Sequence, residues 1–138
     1  MKKVIFDTNV LIDWINDRRF EDLIFESGTA KYLSAVVLME LMVGASNAED
    51  QKIIRKLHNV HRKAARMVTP SESNYADAGN ILLKLQKNKG YDLKKSFSLV
   101  NDVLIALTAR SIGAILFTQN IKDFQTIREI KAFDLEVL

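Results

Sequence analysis

Residues 4–9 read Val-Ile-Phe-Asp-Thr-Asn, and this stretch decides how the N-terminal part of the chain folds. The three apolar residues predict a short buried strand, and a helical pattern follows to about Asp17, with Asp13 on its polar, solvated face. A carboxylate at Asp7 needs an explanation, because a Ser or Gly turn would join two buried segments equally well. It either caps the following helix or belongs to a functional site.

Short apolar runs alternate with helical patterns along the rest of the chain. We predict strands near 4–6, 32–33, 66–68, 114–117 and 135–138, helices near 8–17, 19–26, 34–43, 48–65, 71–88 and 98–111, and a polar loop over 91–96. Strands separated by helices are typical of βαβ units. We therefore predict an α/β fold, a parallel sheet flanked by helices on both faces, in a single domain over 1–138.

Composition restricts the chemistry that the chain can perform. Hydrophobic residues make up 48% and charged residues 27%, as in an ordinary soluble globular protein, and the net charge of +3 permits a polyanionic partner. There is no cysteine and there are only two histidines, so a bound metal is expected to have oxygen ligands, which favours Mg²⁺ or Mn²⁺. No apolar run reaches the roughly 18 residues of a membrane span. We expect a cytoplasmic protein without a membrane partner.

Two further carboxylates lie in apolar helical patterns that offer them no polar face. Glu40 lies within the apolar residues 35–43, and Asp102 within 99–107. Burying an ionised carboxylate alone costs several kcal/mol, so each needs donors, a cation or a wet cleft. For Asp102 the alternative is a helix cap, formed by it or by Asn101. Together with Asp7, these residues suggest one shared site in which a divalent cation relieves their repulsion.

A fourth group of polar residues follows the fourth predicted strand. Thr118, Asn120 and Asp123 carry oxygen atoms at the point where that strand ends. Sites in parallel sheets form beyond the carboxyl ends of the strands, so these side chains are candidates for the same pocket. Gln119 and Lys122 are interpreted as ordinary turn residues.

Four motifs in this order resemble the PIN-domain ribonucleases, and most closely the VapC toxins of toxin–antitoxin pairs. The motifs are Asp7-Thr8-Asn9, Glu40, Asn101-Asp102 and Thr118-x-Asn120-x-x-Asp123-Phe124. The resemblance covers essentially the whole chain. It implies a parallel sheet between helices, an acidic pocket that binds Mg²⁺ or Mn²⁺, and cleavage of an RNA substrate. It also implies a homodimer that a cognate antitoxin protein inhibits.

The resemblance also suggests residue roles. Asp7, Glu40 and Asp102 match the pocket carboxylates, and Thr118 matches a supporting hydroxyl. Asp7 and Asp102 would hold the metal directly or through its waters, while Glu40 would orient or deprotonate the attacking water, a role that Asp102 could exchange with it. Many family members have an acid where Asn120 stands and others have Asn. We therefore expect one well-bound ion, with Asp123 partly compensating for the missing charge.

Basic residues form two regions that could contact the phosphate backbone of RNA, the alternative being a solvated helix face. These residues are Arg55, Arg62 and Arg66, opposite the apolar stripe of the helix predicted over 48–65, and Lys84 and Lys87 near a loop. Phe20 and Phe25 lie with Leu23 and Ile24 in a short amphipathic segment, 20–25, and are expected in the core, with an antitoxin or dimer contact as the alternative.

Two other functions compete with a nuclease. In an aspartyl-phosphate phosphatase or phosphotransferase, Asp7 would be the nucleophile. Haloacid-dehalogenase-like phosphatases place a second acid two residues later, where this chain has Asn9, and the hypothesis leaves Glu40 unexplained. In a non-catalytic RNA- or protein-binding module the carboxylates would be structural, so their substitution would leave function intact.

Overall fold

The computed structural model describes residues 1–92 and 97–138, except for the side chain of Phe97. The strands are β1 (Lys2–Phe6), β2 (Thr29–Ser34), β3 (Met67–Val68), β4 (Ile115–Thr118) and β5 (Asp134–Val137). The helices are α1 (Thr8–Asp17), α2 (Glu21–Ile24), α3 (Ala35–Gly44), α4 (Ala48–Lys63), α5 (Glu72–Lys89), α6 (Phe97–Ile112) and α7 (Ile121–Ile130). None of these described helices is long and apolar enough to cross a lipid bilayer.

The strands form one sheet in the order β3-β2-β1-β4-β5, and every neighbouring pair is parallel. The chain moves outward from β1 through β2 to β3, and then crosses to β4 and β5 on the other side. Because parallel crossovers are right-handed, this reversal of direction places helices on both faces of the sheet. The predicted α/β fold is therefore confirmed.

The core lies between the central strands and the helices that cover them. Ile5 of β1 and Leu116 of β4 are fully buried, as are Val37 of α3 and Ile105 of α6. Ile12 of α1 is 37% exposed, whereas Leu11 beside it is buried. One core thus joins the first strand to the helices that carry Glu40 and Asp102.

Several predicted boundaries differ from the observed ones. The helix predicted over 19–26 is reduced to α2, because Arg18 and Phe20 both adopt left-handed backbone conformations before it. The strand predicted at 32–33 extends over the whole of β2. Helix α7 was not predicted, although Phe124 and Ile127, spaced three residues apart, are both fully buried. Within the polar loop predicted over 91–96, residues 93–96 lie outside the described part of the chain.

The apolar stripe predicted for α4, formed by Ile53, Leu57, Val60 and Ala64, meets the core only in part. Ile53 and Leu57 are partly buried and pack against the core, whereas Val60 is 56% exposed. The fully buried residue of this helix is Ile54, one position after Ile53. Periodicity correctly indicated an apolar side, and this side also lines an open groove.

Candidate active site

The strand register brings the polar residues to one edge of the sheet. Phe6 of β1 is paired with Phe117 of β4, so the next residues, Asp7 and Thr118, lie side by side where their strands end. The Asp7 backbone N–H donates to the Phe117 carbonyl at 2.8 Å, which fixes this junction. Open parallel sheets form their sites at this edge, near the point where the strand order reverses.

Asp7 caps a helix and also contacts the neighbouring strand. It is the N-cap of α1, and its Oδ1 accepts the Thr8 backbone N–H at 2.8 Å. Its Oδ2 accepts the Thr118 hydroxyl at 2.7 Å, across the two strands. The residue is only 4% exposed. Capping and membership of a pocket are therefore compatible, because each uses a different oxygen of one carboxylate.

Glu40 meets the strong donors that its apolar helix lacks. Helix α3 starts at the end of β2, where the buried Ser34 hydroxyl accepts the backbone N–H groups of Val36 and Val37. Further along α3, the two carboxylate oxygens of Glu40 accept the Thr8 hydroxyl at 2.6 Å and the Asn101 amide at 3.4 Å. Donors from α1 and α6 thus orient one carboxylate of α3.

Asp102 lies inside a helix, so the cap interpretation is wrong for it. Helix α6 begins at Phe97, and Asp102 is 8% exposed. The Asn120 amide lies 3.5 Å from an oxygen of Asp102 and 3.5 Å from an oxygen of Asp123, at the limit of hydrogen-bonding distance. Asp123 also accepts the Tyr91 hydroxyl at 3.2 Å. Asn120 therefore stands between two acids, and Tyr91 holds the outer one.

Burial and mutual repulsion disturb the ionisation of this cluster. Burial, followed by the charges of Asp7, Glu40 and Asp123, raises the pKa of Asp102 to about 8. Burial also raises the pKa of Asp7, and it outweighs the hydrogen bonds from Thr118 and Thr8 that lower it. Among the described residues, no ion pair involves any of these four acids. No described cationic side chain therefore relieves the repulsion among these acids.

The donor chemistry of this pocket fits a hard divalent cation. All of its carboxylate, hydroxyl and amide groups offer oxygen ligands, which Mg²⁺ and Mn²⁺ prefer. Within the described ranges, no three acidic or histidine side chains lie close enough together to hold one ion. Each carboxylate accepts a hydroxyl or amide donor instead. Because Mg²⁺ commonly binds one or two carboxylates and keeps several waters, this arrangement fits an ion held partly through water.

The structure gives some residues roles that the sequence did not indicate. Asn9, predicted to support the pocket, accepts the backbone N–H of Gln119 with its side chain at 3.2 Å. Gln119 and Asp13, interpreted as a turn residue and a solvated acid, are joined by a hydrogen bond of 2.9 Å. No local pattern indicates this pair, because 106 positions separate its members in the sequence.

The predicted RNA-contacting residues lie on α4, beyond its end and on α5. Arg55 and Arg62 are exposed on α4, whereas Arg66 lies beyond the helix and lines the groove described below. Lys84 and Lys87 are exposed on α5. The continuous stripe predicted from Arg55 to Arg66 is therefore wrong, because the helix ends before Arg66 and the chain turns.

A groove of about 490 Å³ lies between α1, α2 and α4, with β2 contributing to its wall. Apolar side chains dominate the lining, including the half-exposed Val60 and Phe25, whose ring meets Trp14 edge to face. The described basic residues on its wall are Arg18, Lys31, Lys56 and Arg66, and no described acid lines it. Burial lowers the pKa of His61, so this imidazole on the wall is neutral at pH 7. The prediction that segment 20–25 lies in the core therefore holds for Ile24, which is buried, but not for Phe25, which is 62% exposed.

The model of the PIN domain family matches residues 4–130 of this chain. The chain belongs to the PIN domain family. The resemblance that the four sequence motifs indicated is therefore confirmed. Among characterised relatives of this PIN domain is Ribonuclease VapC1 of Methanocaldococcus jannaschii, which is 28% identical over 134 residues. The alignment covers 96% of this chain and 88% of that protein.

Solved structures share the architecture of this PIN domain. One is VapBC2 from Rickettsia felis, solved bound to a DNA fragment from the VapBC2 promoter. A chain of that structure is 25% identical to this one, with a TM-score of 0.68, and the match covers 99% of this chain and 98% of that chain. A chain of DNA-bound VapBC from Salmonella typhimurium is 22% identical with a TM-score of 0.69 and the same coverage. The likeness to the Salmonella typhimurium chain shows the fold alone. Both likenesses extend over nearly all of the chains compared.

Proposed function

We propose that this PIN domain, which spans residues 1–138, is a Mg²⁺- or Mn²⁺-dependent endoribonuclease and the toxin of a toxin–antitoxin pair. The observation that carries the proposal is the cluster of Asp7, Glu40, Asp102 and Asp123, which no described cationic side chain pairs with. Asp7 and Asp102 are buried in it, and Glu40 and Asp123 are partly exposed. Membership of the PIN family and a relative named as a ribonuclease support RNA as the substrate.

The pocket supports distinct roles for its carboxylates. A bound divalent cation would supply positive charge that stabilises the developing charge on the phosphodiester and favours activation of a water. Asp7 and Asp102 would hold it, directly or through water, because burial raises the pKa of both and a cation would favour their ionised forms. Glu40 is oriented by Thr8 and Asn101, so we assign it to orient or deprotonate the attacking water.

The geometry gives little support to an aspartyl-phosphate enzyme. Both oxygens of Asp7 accept hydrogen bonds, and the residue is almost fully buried. The position where a second acid would be required is Asn9, and its side chain is bonded to Gln119. A nucleophile needs free access to the phosphoryl group.

The proposal is tested by incubating the purified protein with total RNA in Mg²⁺, in Mn²⁺ and in EDTA. We expect cleavage only with a divalent metal, and a loss of at least about 100-fold in Asp7→Asn and Glu40→Gln, as is common for general acid–base groups. Asp17→Asn, which changes an exposed acid of α1, is the matched control and should retain activity. Equal cleavage by the wild type and Asp7→Asn would contradict the proposal.

We propose that the groove between α1, α2 and α4 binds a segment of the cognate antitoxin. The exposed Phe25 and Val60 would contact apolar side chains of that segment, and Lys56 and Arg66 would attract acidic ones. The similar structure from Rickettsia felis was solved as a VapBC complex, which supports a protein partner here.

We also propose a homodimer. The supporting observation is an exposed apolar patch near the end of α3, where Met39, Met42 and Val43 are 49%, 43% and 85% exposed. Apolar side chains grouped in this way are typical of protein interfaces. Light scattering should give the mass of two chains, and Val43→Glu should reduce it to one.

A further inference from the structure

Gln119 lies between two residues of the pocket, but its side chain is bonded to α1. Its backbone N–H donates to the Asn9 side-chain oxygen at 3.2 Å. Its amide nitrogen donates to the Asn9 carbonyl at 3.2 Å and to Asp13 Oδ2 at 2.9 Å. Three hydrogen bonds therefore fasten the turn after β4 to the first half of α1.

Asp13 holds the far end of this link. The same Oδ2 that accepts the Gln119 amide also accepts a guanidinium N–H of Arg19 at 2.8 Å. The Arg19 guanidinium in turn lies 4.7 Å from the centre of the Phe20 ring. Bonds to a charged acceptor are stronger than neutral ones, so Asp13 is a firm anchor although it is partly exposed.

This turn carries the two residues, Thr118 and Asn120, whose side chains donate hydrogen bonds to the pocket acids Asp7 and Asp102. On one side of Gln119, the Thr118 hydroxyl donates to Asp7. On the other side, the Asn120 amide faces Asp102, and the Asn120 backbone N–H donates to the Thr118 hydroxyl at 2.9 Å. A shift of this turn would move the donors of both carboxylates together.

We propose that Gln119 and Asp13 are positioning residues that set the affinity of the pocket for a divalent cation. The inference rests on the proposed metal-dependent function. Neither side chain is a pocket ligand, since Gln119 points to α1 and Asp13 binds Gln119 and Arg19. They act by fixing the turn, as residues behind metal ligands do when they orient those ligands.

Four single variants, one double variant and one probe test this inference. Gln119→Met keeps the side-chain length and removes both donors, Asp13→Ala removes the acceptor, and Asp13→Asn keeps an acceptor oxygen. Asp17→Ala removes an exposed acid from the same helix and is the control. Binding of Mn²⁺ to each metal-free protein is measured by calorimetry, beside its thermal unfolding in EDTA.

We expect Gln119→Met and Asp13→Ala to bind Mn²⁺ about 10-fold more weakly or worse, as is usual when a residue behind a metal ligand is lost. Asp13→Asn should bind more tightly than Asp13→Ala. The Gln119→Met/Asp13→Ala double variant should be no weaker than Gln119→Met alone, because Gln119→Met already removes the bond to Asp13. A purely structural role would instead lower the unfolding temperature and leave Mn²⁺ affinity unchanged.

The possible failures are distinguishable. If all variants bind Mn²⁺ as tightly as the wild type, the inference is overturned while the metal-dependent function stands. If Asp13→Asn binds as weakly as Asp13→Ala, the hydrogen-bonded link is the wrong explanation. If the wild-type protein binds no Mn²⁺, the proposed metal site and this inference are both overturned.

Discussion

Ionisation of Asp102 is strongly disfavoured in the pocket, so the stability of the fold depends on whether this residue is protonated. Burial and three neighbouring carboxylates raise its pKa from 3.8 to about 8. The folded protein therefore keeps a proton that the unfolded chain releases between these values. Stability contributed by this proton is fully present below pH 4 and is lost as the pH rises toward 8. Asp7, whose pKa is also raised, acts in the same direction.

We predict that the metal-free protein becomes less stable between pH 5 and pH 8, and that Asp102→Asn flattens this dependence. Each unit of pKa shift corresponds to about 1.4 kcal/mol, and Asn resembles the neutral acid at every pH. Urea unfolding in EDTA at several pH values measures the effect, with Asp17→Asn as the control. Mn²⁺ should restore stability at pH 8 in the wild type and in Asp17→Asn, but not in Asp102→Asn. Equal slopes in the wild type and Asp102→Asn would contradict the prediction.

The same residue scale shows what the sequence could reveal about the site. Asp7, Glu40 and Asp102 were identifiable because a carboxylate without a polar face is a local conflict, visible within a few positions. The link between Gln119 and Asp13 was not, since each residue is unremarkable in its own segment. Their contact depends on β1 and β4 being neighbours, which is a property of the whole sheet.

At the scale of elements, α3 depends on a cap that solvent cannot replace. Ser34 is completely buried, and its hydroxyl accepts two backbone N–H groups at the start of the helix that carries Glu40. Ser71 caps α5 in a comparable way but is exposed. Without its cap, a buried helix end leaves N–H groups unpaired, whereas water can satisfy an exposed one.

Ser34→Ala should therefore cost about 2 kcal/mol of unfolding free energy, and Ser71→Ala about 1 kcal/mol or less. Urea titrations of both variants measure the difference, and the midpoint should fall while the m-value remains that of the wild type. A larger loss in Ser71→Ala than in Ser34→Ala would show that burial does not govern these caps.

Elements with strong local patterns were predicted, and those defined by their neighbours were not. Helix α3 and strand β4 were found within one residue at each end, because their apolar runs end at clear polar or glycine signals. Helix α7 was missed because the polar residues at its start, Asn120, Lys122 and Asp123, were interpreted as a turn or as pocket candidates. For α4 the apolar stripe was correct, but periodicity cannot say whether a stripe meets the core or an open groove.

On the scale of the whole molecule, the pocket and the groove use different residues. The pocket gathers at the carboxyl edge of β1 and β4, whereas the groove lies between α1, α2 and α4. None of the four pocket acids lines the groove. Substitutions in the groove should therefore separate inhibition by an antitoxin from RNA cleavage itself.

Val60→Glu tests this separation. The substitution puts a carboxylate where an apolar and acidic antitoxin segment is proposed to bind, and a buried contact of this kind is worth about 2 kcal/mol, or roughly 30-fold in affinity. Co-elution with the co-expressed cognate antitoxin should be lost, while metal-dependent RNA cleavage should remain. Leu83→Glu is the control, since Leu83 is 49% exposed on α5 and does not line the groove. If Val60→Glu retains the antitoxin as well as Leu83→Glu does, the partner binds elsewhere on the molecule.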